Sequence, residues 1–187
     1  MSLLPGPDGR PRCAWALGAP EYLAYHDEEW GTPLHGDDAL YERLTLEAFQ
    51  SGLSWITILR KREAFRTAFA GFDPAAVARF GEADVARLMA DAGIVRNRLK
   101  IEAAIANARV VDAMGQAFAD LVLGYRQPDR PRPEPDQVPA STAESVTLAR
   151  ALKAHGIRFV GPTTAYALMQ ATGMVDDHVA TCFRATA

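Results

Sequence analysis

The segment VDDHVATC, residues 175–182, groups the scarcest reactive side chains of the chain. His178 is one of four histidines and Cys182 is one of two cysteines among 187 residues. If the segment is helical, their spacing places both side chains on one face, where they can bind the same metal ion. Alone, this pair of residues is a weak signal for a metal site.

The second cysteine, Cys13, lies near the opposite end of the chain, and His26 follows it. Two cysteines and two histidines complete a tetrahedral zinc site that has no open coordination position. Such an ion would be structural and would join the two ends of the chain. Two buried thiols and two ordinary histidines explain the same residues equally well, and spacing alone does not decide between these interpretations.

Aromatic side chains surround a single acid in the first third of the sequence. Glu47 interrupts an apolar helical stretch that ends shortly before Trp55, and a carboxylate in such a stretch costs stability unless a partner meets it. Aromatic rings and one acid can form a cavity for a flat, polar and even cationic ring, such as a purine. A hydrophobic cluster would account for the aromatic residues alone, which include Trp15, Tyr22, Tyr25 and Trp30.

Helices must position these residues, because apolar side chains recur with helical period and no alternating strand pattern is present. The clearest helical segments are 37–53, 82–93, 98–114 and 141–156, the last opening on Ser141 and Glu144 with the spacing of a capping box. We expect an all-α protein of nine or ten helices. Residues 1–12 are predicted to be a flexible lead and 13–187 a single domain, which contains the proline-rich linker 127–139.

The segment RFVGPTTAYALMQATG, residues 158–173, resembles the turn and second helix of a helix–hairpin–helix motif. In that motif, backbone N–H groups at a glycine turn and a helix N-terminus bind a DNA phosphate. The net charge of −3 gives no electrostatic argument for nucleic acid, but one local face is enough to bind phosphates. No apolar run approaches a membrane span and no signal peptide begins the chain, so we expect a cytoplasmic protein.

Together these motifs resemble the 3-methyladenine DNA glycosylase I family, a branch of the helix–hairpin–helix DNA glycosylase superfamily. The resemblance covers nearly all of the chain from Cys13 onward, in the order and spacing of the family. It rests on CAW (13–15), YLAYHDEEWG (22–31), LEAFQSGLSWITILRKRE (46–63), DAGIVRNRLKI (91–101) and KAHGIRFVGPTTAYALMQATGMVDDHVATC (153–182).

The resemblance implies a role for each group of residues. A structural zinc ion would be held by Cys13, His26, His178 and Cys182. Glu47 would hydrogen-bond the methylated adenine in a pocket lined by Trp15, Tyr25 and Trp55, with Tyr22 and Trp30 nearby. Gly52 and Leu53 would enter the duplex as a wedge, and Gly161 with Thr163 would bind phosphate in the hairpin.

The implied reaction is hydrolysis of the N-glycosidic bond of N3-methyladenine in double-stranded DNA, with free 3-methyladenine as the product. The enzyme would act as a monomer and flip the base into its pocket. An aspartate often assists the sugar in this superfamily, and Asp176 occupies that place here, where the 3-methyladenine family often has Asn. Asp176 is therefore either the cap of the last helix or an electrostatic catalyst, and Asp177 is interpreted as structural.

Two rival functions remain at this point. A zinc-containing DNA-binding protein without catalysis would not need Glu47 and its aromatic neighbours. A zinc hydrolase would need an open coordination position, which four protein ligands do not leave.

Overall fold

The computed structural model describes residues 4–127, 131–134 and 137–185. Nine α-helices account for most of these residues, which confirms the prediction of a mainly helical chain. They are α1 (Pro20–Glu28), α2 (Asp37–Gln50), α3 (Trp55–Ala68), α4 (Pro74–Ala78), α5 (Glu82–Ala90), α6 (Arg98–Met114), α7 (Gln116–Leu123), α8 (Ala143–Ala154) and α9 (Pro162–Ala171), with short 3-10 helices at Ala14–Gly18 and Ala70–Phe72.

Helix α2 lies at the centre of the helical core. Nine of its fourteen residues are buried, so it is covered on most of its circumference. It packs against α3, α6, α7 and α9, and its apolar residues Leu40, Leu44 and Phe49 join the main hydrophobic cluster. Glu47 lies on the same helix and is carried into the interior with them.

The loop between α2 and α3 is anchored by the long helix α6. Lys100, near the start of α6, donates from Nζ to the carbonyl oxygens of Phe49 and Ser51 at 2.9 and 2.6 Å. These carbonyls lie at the C-terminal end of α2, where a helix leaves its acceptors unsatisfied and favours a cation. Residues 51–54 are thereby held at the surface, with the Leu53 side chain 42% exposed.

Helices α8 and α9 pack together and are joined by a turn over residues 155–161. The predicted capping box of α8 is wrong by one residue. The Thr142 hydroxyl accepts from the Ser145 backbone N–H, and the Ser145 hydroxyl accepts from the Thr142 backbone N–H. Thr142 is the N-cap because it has the extended backbone that this position requires. Asn107 of α6 fixes the turn, accepting from the Arg158 N–H at 2.7 Å and donating to its carbonyl at 3.1 Å.

The predicted last helix over His178 and Cys182 is wrong, because residues 172–185 form turns. Helix α9 ends in a Schellman motif: Gly173 has φ +65°, and the Met174 N–H donates to the Met169 carbonyl at 2.9 Å. This motif reverses the chain direction at Gly173. His178 and Cys182, four residues apart, therefore approach each other through a turn and not along one face of a helix.

The amino-terminal segment contains strands that the sequence analysis missed. Leu4–Pro5 (β1) pairs antiparallel with Pro11–Arg12 (β2). The strands are two residues long, too short to show an alternating pattern, which explains why the sequence gives no signal for them. The Pro11 carbonyl accepts from the Phe183 N–H at 2.9 Å, so this hairpin contacts the carboxy-terminal segment.

The proline-rich linker predicted at 127–139 lies partly outside the described residues, at 128–130 and 135–136. Residues 131–134 and 137–139 contain neither helix nor strand, as the prolines lead one to expect. Within the described ranges, none of the helices has the length and apolar character needed to cross a membrane.

Replacing Asn107 should loosen the turn between α8 and α9. Asn107→Ala leaves two backbone groups of Arg158 without their partner and opens space in the core, since Asn107 is 1% exposed. We expect the free energy of unfolding to fall by about 1.5 kcal/mol in urea titrations. Asp112→Ala, at an exposed position of the same helix, should change it by less than about 0.5 kcal/mol. Equal effects of the two substitutions would contradict this role for Asn107.

Candidate active site and metal centre

Four buried side chains from the two ends of the chain meet in one cluster: Cys13, His26, His178 and Cys182, called the metal centre below. Their potential ligand atoms all lie within 4.8 Å of one another. The Cys182 Sγ is 3.4 Å from His26 Nε2 and 3.7 Å from His178 Nδ1, and the Cys13 Sγ is 3.9 Å from His178 Nδ1. Tetrahedral zinc, with bonds of about 2.3 Å to sulfur and 2.0 Å to nitrogen, separates such atoms by about 3.6 Å. The donor set therefore fits a metal ion.

Hydrogen bonds orient both imidazole rings towards the metal centre. Asp27 Oδ1 lies 2.8 Å from His26 Nδ1, and the Trp30 carbonyl oxygen lies 3.2 Å from His178 Nε2. Each acceptor places the ring proton on that nitrogen, so the other nitrogen turns a lone pair to the cluster. The hydrogen bond between the thiols lowers the pKa of Cys182 and raises that of Cys13.

A buried arginine, Arg12, binds the carboxylate that orients His26 in the metal centre. Arg12 is 2% exposed and binds Asp27 at 2.7 Å and Asp8 at 2.6 Å. Its guanidinium also lies over the Phe183 ring, 4.7 Å from the centroid. The β1–β2 hairpin therefore fixes the carboxylate that orients His26, and it holds the carboxy-terminal segment in place.

Two glycines allow the loops beside the metal centre to approach each other. Gly31 and Gly173 have φ of +77° and +65°, a region that disfavours other residues. A Cβ on Gly31 would lie 2.9 Å from His178 Nε2, and one on Gly173 would lie 2.6 Å from the Gly31 carbonyl oxygen. Any larger side chain at either position would separate the loop after α1, the helix that carries His26, from the turn that carries His178.

A cavity of about 360 Å³ opens next to the metal centre, within the size range of sites for small ligands. Five of the residues predicted for the base pocket line it, together with residues that the sequence analysis did not single out. The lining consists of Cys13, Ala14, Trp15, Tyr25, Trp30, Glu47, Gln50, Trp55, Val138, Ala167, Gln170, Asp177 and Val179.

Glu47 is a buried acid of this cavity whose pKa is raised. Its side chain is 6% exposed, and no described residue donates a hydrogen bond to its carboxylate. Burial raises its pKa to about 7, although the nearby Arg43 cation opposes the rise. Burial also raises the pKa of Tyr25, so the Tyr25 hydroxyl keeps its proton. Near neutral pH the cavity therefore offers an acceptor that nothing in the described protein satisfies.

Tyr22 and Asp176 were predicted near the substrate, and the structure places neither in the cavity lining. The Tyr22 hydroxyl accepts from the Ile56 N–H at 2.9 Å, which satisfies a free donor at the start of α3. Asp176 binds Arg132 at 2.7 Å and accepts from the His178 N–H at 3.1 Å. Its carboxylate faces the linker because the turn after α9 directs it there.

Asp177 lines the cavity in place of its neighbour. It is 2% exposed, and its Oδ2 accepts from the Tyr166 hydroxyl and from Gln170 Nε2. The sequence analysis interpreted Asp177 as structural, and its hydrogen bonds to α9 agree with that interpretation. Its position in the lining had no sequence signal, because two adjacent acids cannot be told apart without knowing how the turn is oriented.

The residues predicted to contact DNA do not line the cavity. Leu53, at the tip of the α2–α3 loop, and Thr163, in the first turn of α9, are exposed, as is Gly52; Gly161 is half-buried. The structure brings these four residues to loop and helix ends and leaves them outside the cavity lining. Arg43, Val138 and Gln170 were missed by the sequence analysis, since nothing in their spacing marks them.

Comparisons with known proteins agree with one another. The family model described as methyladenine glycosylase matches residues 15–185. The chain is 46% identical over 177 residues to DNA-3-methyladenine glycosylase 1 of Escherichia coli (strain K12), covering 91% of this chain and 95% of that protein. A crystal structure of 3-methyladenine DNA glycosylase I matches with a TM-score of 0.90 at 46% identity, over 94% of this chain and 100% of the other. A variant of 3-methyladenine DNA glycosylase I in complex with 3-methyladenine matches with a TM-score of 0.86 at 33% identity, over 94% and 98%.

Removing the Glu47 charge should stabilise the fold. The folded-state pKa of about 7 lies above the ordinary glutamate value of 4.5, so the free energy of unfolding of the wild type falls as pH rises from about 4.5 to about 7. Glu47→Gln avoids this loss, and its free energy of unfolding should exceed that of the wild type by about 2 kcal/mol above pH 7. The difference should shrink towards pH 4.5. Urea titrations at several pH values test this, and a Gln variant less stable than wild type at pH 8 would refute it.

Proposed function

The chain belongs to the methyladenine glycosylase family, and from that membership we propose how its cavity and surface act on DNA. The resemblance found in the sequence is confirmed. The protein is a hydrolase of base-excision repair that cleaves the N-glycosidic bond of N3-methyladenine in DNA and has no second activity on the strand. The observation that carries the proposal for its site is the buried Glu47 carboxylate in an aromatic cavity.

Glu47 accepts a hydrogen bond from the exocyclic amine of the methylated base in our proposal. The base carries a positive charge after methylation at N3, so its attraction to an ionised carboxylate in a buried site is strong. Trp15, Tyr25 and Trp55 supply aromatic faces for the flat cation. Unmodified adenine is neutral and gains less from the same carboxylate, which provides discrimination.

The base reaches the cavity by leaving the DNA stack, which costs a few kcal/mol and less for a damaged base. We propose that Leu53, exposed at the tip of a loop that Lys100 anchors, fills the vacated space in the duplex. The turn before α9 would hold the strand, since Pro162 has no N–H and the N–H groups of Thr163 and Thr164 precede the first helical bond, Ala165 N–H to Gly161 O. One chain supplies all of these parts, so we expect a monomer acting on double-stranded DNA.

Bond cleavage needs little acid catalysis. When the bond from C1′ to N9 breaks, both electrons pass to the cationic base, which leaves as neutral 3-methyladenine. A water molecule adds hydroxide to C1′ and gives its proton to solvent. The protein contributes by binding the extruded base in one orientation, so binding energy is used to reach the transition state.

We propose that Asp176 stabilises the backbone of the turn after α9 and does not stabilise the sugar of the substrate. Its two oxygens are engaged by Arg132 and by the His178 N–H. An asparagine at this position would keep the acceptor for the backbone N–H. The helix that Asp176 was expected to cap is a turn, so we propose that its bond to the His178 N–H stabilises this turn instead.

The metal centre holds a structural zinc ion in our proposal. Two thiols with two imidazoles, all four buried, form a donor set typical of closed zinc sites. The ion would join the segment before α1 to the turn after α9, and with them Trp15, Trp30 and Asp177 in the cavity wall. It supplies no activated water, because all four positions are taken by protein ligands.

Release of free bases from methylated duplex DNA, separated by chromatography, tests the reaction and its pocket together. The wild type should release 3-methyladenine, and Glu47→Gln should slow single-turnover release by about 10- to 100-fold, since a charged hydrogen bond is lost. Glu63→Gln, at an exposed position on α3, and Asp176→Asn should release the base at the wild-type rate. A wild type that binds DNA but releases nothing would favour a binding protein without catalysis.

Metal content tests the zinc proposal. The wild type should contain about one zinc ion per chain by elemental analysis, and Cys182→Ala should lose the ion. The thermal midpoint should fall by about 10 °C with it, because the two chain ends are no longer joined. His35→Ala, at an exposed histidine, is the matched control and should change neither. Stoichiometric zinc in Cys182→Ala would contradict the assignment of ligands.

A further inference from the structure

Arg43 is a buried cation in the wall behind the cavity, one helical turn before Glu47 on α2. It is 6% exposed and does not line the cavity itself. Its Nη1 donates to the Tyr25 hydroxyl at 2.9 Å. Its guanidinium carbon lies 5.3 Å from the Tyr25 ring centroid and 5.6 Å from that of Trp55. Arg43 therefore contacts two of the aromatic residues that form the cavity.

The charge of Arg43 is only partly compensated within the described part of the chain. Among the described residues, Arg43 forms an ion pair with Glu29, at 3.6 Å. Arg62 binds the same Glu29 more closely, at 2.8 Å. A buried cation whose counter-ion is shared has a strong field on neighbouring groups, since burial lowers the effective dielectric constant. Glu47 lies within that field.

We propose that Arg43 is a positioning residue of the base site, which orients the Tyr25 hydroxyl towards the bound base and favours a charged carboxylate at Glu47. The inference rests on the proposed function and deepens it. Arg43, which lies outside the cavity lining, thus acts through two residues of the lining: the Tyr25 hydroxyl as a donor and the Glu47 carboxylate as a charged acceptor.

The orientation of the hydroxyl follows from its hydrogen-bond pattern. The Tyr25 oxygen accepts from Arg43, so its own proton must point elsewhere. No hydrogen bond from that proton to another described residue is found, and Tyr25 lines the cavity. The proton is then available to a nitrogen acceptor on the ring of the bound base.

The charge of Glu47 depends on the groups that face it from several elements. Arg43 favours its ionisation from the same helix. Asp177, in the turn after α9, is an acid in the same cavity and would oppose that ionisation. Tyr25 of α1 and Cys13, before the first 3-10 helix, complete the titratable groups of the lining. Arg43 is the cation next to Glu47, and its removal leaves burial as the dominant effect on the pKa of Glu47.

The rates of base release by Arg43→Met and Arg43→Lys between pH 5.5 and 9.5 test the inference. Wild-type single-turnover release should rise with pH around a midpoint near 7, where Glu47 ionises. Arg43→Met should move that midpoint about one pH unit to the alkaline side, so release at pH 7 falls about fivefold. Arg43→Lys retains the charge and should restore the wild-type midpoint. A side chain that only fills space would lower the rate equally at every pH, and an unmoved midpoint overturns the inference.

Binding of free 3-methyladenine, followed by tryptophan fluorescence over the same pH range, measures Arg43 without bond cleavage. If the midpoint of the binding curve moves to higher pH in Arg43→Met by the same amount, the inference is supported. If the pH dependence of binding is the same in Arg43→Met and wild type, the inference is overturned. If the wild type binds the base with this pH dependence but never releases it from DNA, the proposed reaction fails and the role of Arg43 stands.

The orientation of the hydroxyl has its own test at pH 9, where Glu47 is ionised in all variants. Arg43→Met should weaken base binding there about threefold in the wild-type background and not at all in a Tyr25→Phe background. Equal losses in both backgrounds would overturn this part of the proposal.

Discussion

A carboxylate inside an apolar core loses its hydration, and the surrounding protein must compensate the loss or leave it to a ligand. Glu47 occupies such a position on α2, the most enclosed helix of the core. Its neighbours towards the cavity are aromatic, and the cation behind it is one helical turn away. This arrangement costs stability in the free protein, and it creates a site that a cationic, hydrogen-bond-donating base satisfies. Stability and specificity are therefore opposed at this single residue.

The opposite wall of the cavity depends on the two ends of the chain. Trp15 and Trp30 come from the amino-terminal part, and Asp177 and Val179 come from the turn after α9. The four side chains of the metal centre come from both parts and lie within 4.8 Å of one another, with Arg12 and Asp27 orienting one of the histidines. The α2 wall forms from helix packing, whereas short turns bury little apolar surface, which is why we propose that a metal ion joins the two parts of this wall.

The sequence predicted what repeats with a regular period or is chemically rare. Helix α6 was predicted at its observed bounds, since apolar residues recur along it, and the four residues that the structure brings together in the metal centre were grouped because cysteine and histidine are scarce. The prediction failed where geometry depends on one backbone angle. Gly173 ends α9 in a Schellman motif, which replaces the expected helix by a turn and brings Asp177, not Asp176, into the cavity. Arg43 was also missed, because a buried arginine on an amphipathic helix has the same spacing as an exposed one.

Direct titration of the Glu47 carboxyl group by carbon-13 NMR tests the central claim, with Glu47→Gln to assign the resonance. We predict a midpoint near 7 in the free protein and a lower midpoint when 3-methyladenine is bound, because the amine of the base stabilises the ionised carboxylate. A midpoint near the ordinary value of 4.5 in the free protein, or one that the base does not move, would contradict the account.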